Sequence, residues 1–293
     1  MDSPLITPQM VFPGPAGGIH PRVMRIADIL DRGMSIYRQA PGLIWPLTLL
    51  GSLPFVLLFT AFYYSFAVLK FSPLSGMGLF QSVSCWSLWL TVLFFWRTLI
   101  LGAQTITIDR ALNGQPVLIR TSLFGALKKG LSLSALAAVW GSFFILSSFL
   151  LFTPYLLLGG AFLPALPLTA CEGISPLHAL KSVRNRVPGF FRRCLGIHLS
   201  ILLLFGLMAA NILIGLYFVL NSLHSLFNFD VSYWQIFFSP SNRVYLLLVL
   251  GISFLLTEPL RAGCGWLLYH DYKVRAEGHD LRQMADCLIK GGS

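Results

Sequence analysis

Six long apolar stretches constrain this chain more than any other feature of its sequence. Each holds about 20 predominantly apolar residues, the length that crosses a bilayer as a helix, and they are residues 43–69, 83–106, 131–152, 154–170, 195–220 and 244–269. Charged residues make up only 11% of the chain, less than half of the roughly 25% typical of soluble proteins. We therefore predict an all-α integral membrane protein with six transmembrane helices.

These spans belong to one predicted membrane domain, residues 22–290. Residues 1–21 precede it and contain five prolines without an apolar core. A proline-rich segment of this kind does not pack and is predicted to be a flexible cytoplasmic tail.

Positive charge is distributed unevenly between the two sides of the predicted spans. An even number of spans puts both chain ends on the same side, and 17 of the 21 Lys and Arg residues flank the spans on that side, against Lys70 and Arg243 on the other. This asymmetry follows the positive-inside rule and predicts cytoplasmic termini. The net charge of +10 is then explained by contact with anionic lipid, and nucleic acid is not expected as a partner.

A short basic segment with an amphipathic pattern precedes the first, third and fifth spans. Each ends in a helix-breaking position, at Pro41-Gly42, Gly130 and Pro188-Gly189. We predict three hairpins, each preceded by a cytoplasmic amphipathic helix that lies in the membrane interface. The predicted surface for lipid headgroups or a partner consists of Arg25, Arg32, Lys128, Lys129, Lys181, Arg184, Arg186, Arg192, Arg193, Lys273 and Arg275.

Charged residues also lie inside two of the spans. Arg97 and Glu258 each follow the predicted start of an outside-to-inside span by 14 residues, about 21 Å of helix. Because an unpaired charge in hydrocarbon costs at least about 2.5–3.5 kcal/mol, we predict that they pair, in a polar cluster with Gln104 and Arg261. Such a cluster could fix the packing of two helices, or it could form part of a proton or substrate path.

The sequence lacks the common patterns of enzymes and metal sites. The sequence has no HExxH, Walker or GxGxxG motif, and its five cysteines include no CxxC pair. We therefore expect no catalytic residues, no metal site and no cofactor.

Three segments carry a resemblance to a known family. In chain order they are ADILDRGMSIYRQAPG, ACEGISPLHALKSVRNRVPGFFRR and LLYHDYKVRAEGHDL. Over residues 25–285 the chain resembles the glycerophosphoryl diester phosphodiesterase membrane-domain family and related bacterial polytopic membrane proteins. Nearly all of the sequence is used by the spans, so the catalytic barrel of fused family members has no counterpart in it. The resemblance implies a stand-alone module of the bacterial cytoplasmic (inner) membrane, and it implies no activity.

These features predict a non-enzymatic scaffold or accessory subunit of a membrane complex. Its partners would be anionic lipids together with another membrane protein or further copies of itself. The alternative is a transporter of small molecules or lipids, or another lipid-handling protein, that uses the Arg97–Glu258 cluster. A membrane-embedded enzyme acting on lipid-like substrates is a third, weaker hypothesis.

Overall fold

A computed structural model describes residues 24–39, 41–67, 79–115, 117–148, 150–185, 189–227, 232–239 and 241–277. This part of the chain is helical and contains no strand. Six helical segments are long and apolar enough to cross a membrane: Pro41–Ala61, Leu88–Leu112, Gly130–Ser147, Thr153–Glu172, Phe190–Phe227 and Arg243–Ala276. The prediction of an all-helical, multi-pass membrane protein is thereby confirmed for the described residues. The predicted tail, Arg186 and residues 278–290 lie outside them.

The helices keep the order that the apolar pattern predicts. Their bounds are α1 (Ile26–Gln39), α2 (Pro41–Ala67), α3 (Leu79–Leu112), α4 (Ile119–Lys128), α5 (Gly130–Ser148), α6 (Thr153–Leu158), α7 (Phe162–Pro167), α8 (Pro176–Asn185), α9 (Phe190–Phe227), α10 (Ser232–Phe237) and α11 (Arg243–Glu277).

The predicted breaks coincide with the starts of three long helices. Helix α2 begins at Pro41 and α5 begins at Gly130, each directly after a short basic helix. A proline at the first helical position loses no hydrogen bond, because its missing N–H would have no partner there. Gly189 has a φ of +73° immediately before α9, a conformation that glycine adopts without steric cost.

The fourth span is not one regular helix. A 3-10 turn at Gly159–Ala161 separates α6 from α7, and a π-helical turn at Leu168–Glu172 follows α7. The glycines allow a close approach to α9, since a Cβ added at Gly160 would lie 2.6 Å from the carbonyl oxygen of Cys194. This irregular span is therefore shaped by contact with its neighbour.

The two longest described helices extend well beyond their predicted spans. Helix α9 covers 38 residues and α11 covers 35, lengths of about 57 Å and 52 Å that exceed the roughly 30 Å of a hydrocarbon core. Helix α11 continues through Pro259 without a break. It packs against α1, α2, α3, α7 and α9, so it is the central helix of the bundle.

Helix α1 lies directly on α11. Its Gly33 is buried, and a Cβ added there would come within 2.7 Å of the Cys264 sulfur. A Cβ added at Gly263 would in turn lie 3.3 Å from the Gly33 carbonyl oxygen. Small residues on both helices thus let the two backbones approach closely, and α1 is a packed part of the bundle.

Candidate functional site: polar clusters along the last helix

A charged cluster lies inside the bundle where α3 meets α11. Arg97 of α3 forms an ion pair with Glu258 of α11. One turn further along α11, Arg261 Nη1 lies 3.6 Å from Glu258 Oε2. Only 4%, 1% and 17% of the Arg97, Glu258 and Arg261 side chains are exposed. Arg97 and Glu258, predicted to lie at equal depth, therefore meet in the structure, and Arg261 joins them.

Aromatic rings enclose the two arginines of this cluster. The Arg97 guanidinium carbon lies 5.0 Å from the ring centre of Phe254 and 5.7 Å from that of Trp140. The Arg261 guanidinium carbon lies 4.5 Å from the Trp140 ring centre. Cation–π contacts of this kind stabilise a desolvated cation. Trp140 carried no signal in the sequence, because its role depends on α5 packing against α3 and on its ring reaching Arg261 of α11.

Gln104 lies apart from the charged cluster. Its Nε2 donates a hydrogen bond of 3.1 Å to Thr48 Oγ1 on α2. Gln104 is seven residues beyond Arg97, which is about two helical turns. Its amide therefore joins α3 to α2, and among the described residues it forms no hydrogen bond with the other three members of the predicted cluster.

A second cluster surrounds Asp271, which is fully buried. The carboxylate accepts a 3.1 Å hydrogen bond from the backbone N–H of Met24 and a 2.9 Å bond from Arg275 Nε. Arg193 Nε, at the start of α9, lies 3.4 Å away. This one carboxylate thereby holds together the beginning of α1, the beginning of α9 and the end of α11.

The Asp271 cluster changes the interpretation of two basic residues. Arg193 and Arg275 were predicted to face lipid headgroups or a partner, yet their side chains are only 22% and 21% exposed. The reason is that Asp271 lies in the packed interior, so its counter-charges turn inward to meet it. Because Arg275 was predicted to lie on a surface for lipid headgroups or a partner, a buried cluster at this part of α11 was not expected.

A third set of contacts lies at the same end of the bundle. Glu172 in the π-helical turn accepts a 2.8 Å hydrogen bond from the Tyr269 hydroxyl, and Lys273 Nζ lies 3.0 Å from the same oxygen. Trp266 Nε1 donates a 3.1 Å bond to Asp109 Oδ1 near the end of α3. Lys129 donates to the backbone carbonyl of Cys171. Polar contacts therefore bind the ends of three spans together.

The remaining predicted basic residues differ in exposure. Arg32 is half-buried, with Nη1 lying 3.9 Å from the Met24 sulfur. Lys129 is half-buried as well. The residues that stay exposed are Arg25, Lys128, Lys181, Arg184 and Arg192.

No protein-family model, curated protein or solved structure matches this chain. Within the described residues, no group of three or more His, Cys, Asp or Glu side chains could hold a metal ion. The fold and its contacts define a multi-pass membrane protein whose described charged residues inside the spans mainly join helices.

Proposed function

We propose that this chain is a non-enzymatic scaffold or accessory subunit of a protein complex in the bacterial cytoplasmic (inner) membrane. One observation carries the proposal: each of four carboxylates on the spans contacts a segment other than its own helix. They are Asp109, Glu172, Glu258 and Asp271. Carboxylates engaged in this way stabilise a fixed packing of helices, which is what a scaffold requires. The resemblance to a membrane module without the catalytic barrel agrees with this proposal.

The proposed topology is three hairpins, each preceded by an amphipathic interfacial helix, with both termini cytoplasmic. Polar contacts support this topology, because they join the ends of α3 and α11 to the starts of α5 and α9. The residues that make them are Asp109, Lys129, Glu172 and Asp271. The basic helices α1, α4 and α8 adjoin this same end of the bundle. Arg243 lies at the opposite end of α11, and an excess of positive charge marks the cytoplasmic side.

The exposed basic residues at this end are proposed to bind anionic lipid headgroups. A Lys or Arg near an anionic membrane surface contributes about 1 kcal/mol of binding. Lys181 and Arg184 on α8 and Arg192 on α9 are exposed, and none of them forms an ion pair within the described residues. They are therefore free to contact phosphate groups.

Replacing Lys181, Arg184 and Arg192 together by Gln is expected to weaken binding of phosphatidylglycerol by about 100-fold, because three contributions of about 1 kcal/mol each are lost. Native mass spectrometry during titration of the lipid into detergent-solubilised protein measures the apparent Kd. Phosphatidylcholine binding should not change, and Arg243→Gln at the other end of the bundle is the matched control. An unchanged affinity for phosphatidylglycerol in the triple variant would contradict the proposed headgroup surface.

The second half of α9 supports the proposal that this chain has a partner protein. Residues 211–227 of α9 extend for about 25 Å and are mostly exposed, with large apolar side chains such as Ile214 and Phe218 both 68% exposed. This surface faces lipid or another protein, and a subunit needs such a surface.

The subunit proposal is tested by native mass spectrometry of the protein extracted gently from its own membrane. We expect another protein, or further copies of this chain, to stay bound at a fixed stoichiometry. A monomer that carries lipid alone would be evidence against a scaffold or accessory role.

A second candidate function is transport or lipid handling through the Arg97–Glu258 cluster. Charged groups inside a span favour it, because such groups often mark substrate or ion paths. The cavity next to the cluster measures only about 20 Å³, far below the 300 Å³ or more of a usual small-molecule site. The described structure therefore gives the scaffold more support.

A further inference from the structure

The Glu258 cluster contains more positive than negative charge. Arg97 and Arg261 carry two guanidinium groups, whereas Glu258 supplies one carboxylate. Among the described residues, neither guanidinium forms an ion pair with any other acid. One positive charge is thus left without a counter-charge inside an apolar bundle, where an uncompensated charge is costly.

The same guanidinium groups have unused hydrogen-bond donors. Arg97 Nε and Arg261 Nη2 are buried and have no hydrogen-bond partner among the described residues. A buried donor without an acceptor costs about 1–3 kcal/mol, and more when the group is charged. The cluster therefore lacks both a negative charge and an acceptor.

A small cavity adjoins the cluster between α3, α5, α7 and α11. Its volume is about 20 Å³, and its wall includes Arg261, Leu101, Thr105, Trp140, Leu163 and Gly265. About 10–15 Å³ is enough for one water-sized occupant. The cavity is therefore large enough for a single small ion but too small for a carboxylate-bearing metabolite or a phosphate headgroup.

Charge and hydrogen bonding indicate which occupant fits. Buried water is stable where it finds two to four polar partners, and this wall offers few. The Thr105 hydroxyl already donates to the carbonyl of Leu101, while Arg261 provides a cation. A water molecule would remain short of partners, whereas a monatomic anion would supply the missing charge and accept from Arg261.

We propose that the cavity beside Arg261 binds one small monovalent anion of the halide class, which neutralises the excess charge of the Arg97–Glu258–Arg261 cluster. Such an ion would complete the packing of α3, α5 and α11 around Trp140. The proposal goes beyond the scaffold role and does not depend on it. It requires no movement of the ion across the membrane, so it is also separable from the transport candidate.

The first test is equilibrium dialysis of the purified full-length protein in detergent with radioactive chloride. We expect saturable binding of close to one chloride per chain, with competition by bromide and none by gluconate, which is too large for the cavity. Arg261→Gln should reduce binding to background. Arg120→Gln removes an exposed arginine outside the spans and should leave chloride binding unchanged.

A second test needs no variant and so is independent of whether Arg261→Gln folds. At constant ionic strength, replacing sodium gluconate by sodium bromide should raise the thermal unfolding midpoint of the wild-type protein by about 3–6 °C. Crystals grown in bromide should show an anomalous peak beside Arg261. Equal midpoints in both salts with no peak, or chloride binding that persists in Arg261→Gln, would overturn the proposal.

Discussion

Replacing Glu258 by Gln is expected to lower the free energy of unfolding by about 3–5 kcal/mol, the usual effect of removing one partner from a buried ion pair. The substitution preserves the shape of the side chain but leaves Arg97 and Arg261 without a negative charge beside them. Less protein should accumulate in the membrane. The thermal unfolding midpoint of the detergent-solubilised protein should fall by about 6–15 °C.

Arg97→Gln separates the effect of the net charge of the cluster from the effect of breaking the ion pair. It leaves Glu258 beside Arg261, at 3.6 Å, so the cluster becomes neutral. We expect a smaller loss of stability than in Glu258→Gln, even though both variants break the same ion pair. A Glu258→Gln protein that accumulates and unfolds like the wild type would show that the cluster does not stabilise the packing, and loss of a transported flux in that protein would favour the second candidate function.

Asp271→Asn is expected to lower the free energy of unfolding by about 2–3 kcal/mol. The asparagine can keep a hydrogen bond to the Met24 backbone but loses the charge that holds Arg193 and Arg275. We place this loss below that of Glu258→Gln, because the two arginines are about one-fifth exposed and water compensates them in part. The midpoint of thermal unfolding should fall by about 4–10 °C.

The effect of Asp271→Asn should also be local. Amide hydrogen exchange in residues 24–39 should accelerate, because α1 loses a contact at its start. Asp31→Asn, at an exposed position of α1, provides the control and should change neither the midpoint nor the exchange. Unchanged exchange in α1 of the Asp271→Asn protein would mean that the α1–α11 packing does not depend on this carboxylate.

The sequence predicted the six spans and the meeting of Arg97 with Glu258 for the same physical reason. A bilayer fixes the depth of each residue along its span, so counting residues from the membrane surface compares positions on different helices. The same counting cannot tell which helices are neighbours. Trp140 therefore remained unnoticed, although its ring contacts both arginines.

The Asp271 cluster was missed for a related reason. Beyond the end of a predicted span, a charged residue is expected to face water, and the sequence pattern of α11 contains no sign that α1 covers Asp271. The glycines at positions 33 and 263 carried a usable signal, because small residues on two helices permit close contact. That signal identifies a surface for packing but not the helix that occupies it.

The hydrogen bond from Met24 to Asp271 has a consequence for biosynthesis, because 247 residues separate its two partners. At a translation rate of about 5–20 residues per second, α1 leaves the ribosome about 10–50 s before the helix on which it packs. During that interval its apolar face has no place in the bundle, and the membrane surface or a chaperone must shield it. A chain that stops before residue 271 therefore lacks the carboxylate that holds the start of α1, and its amino-terminal helix has nothing to dock on.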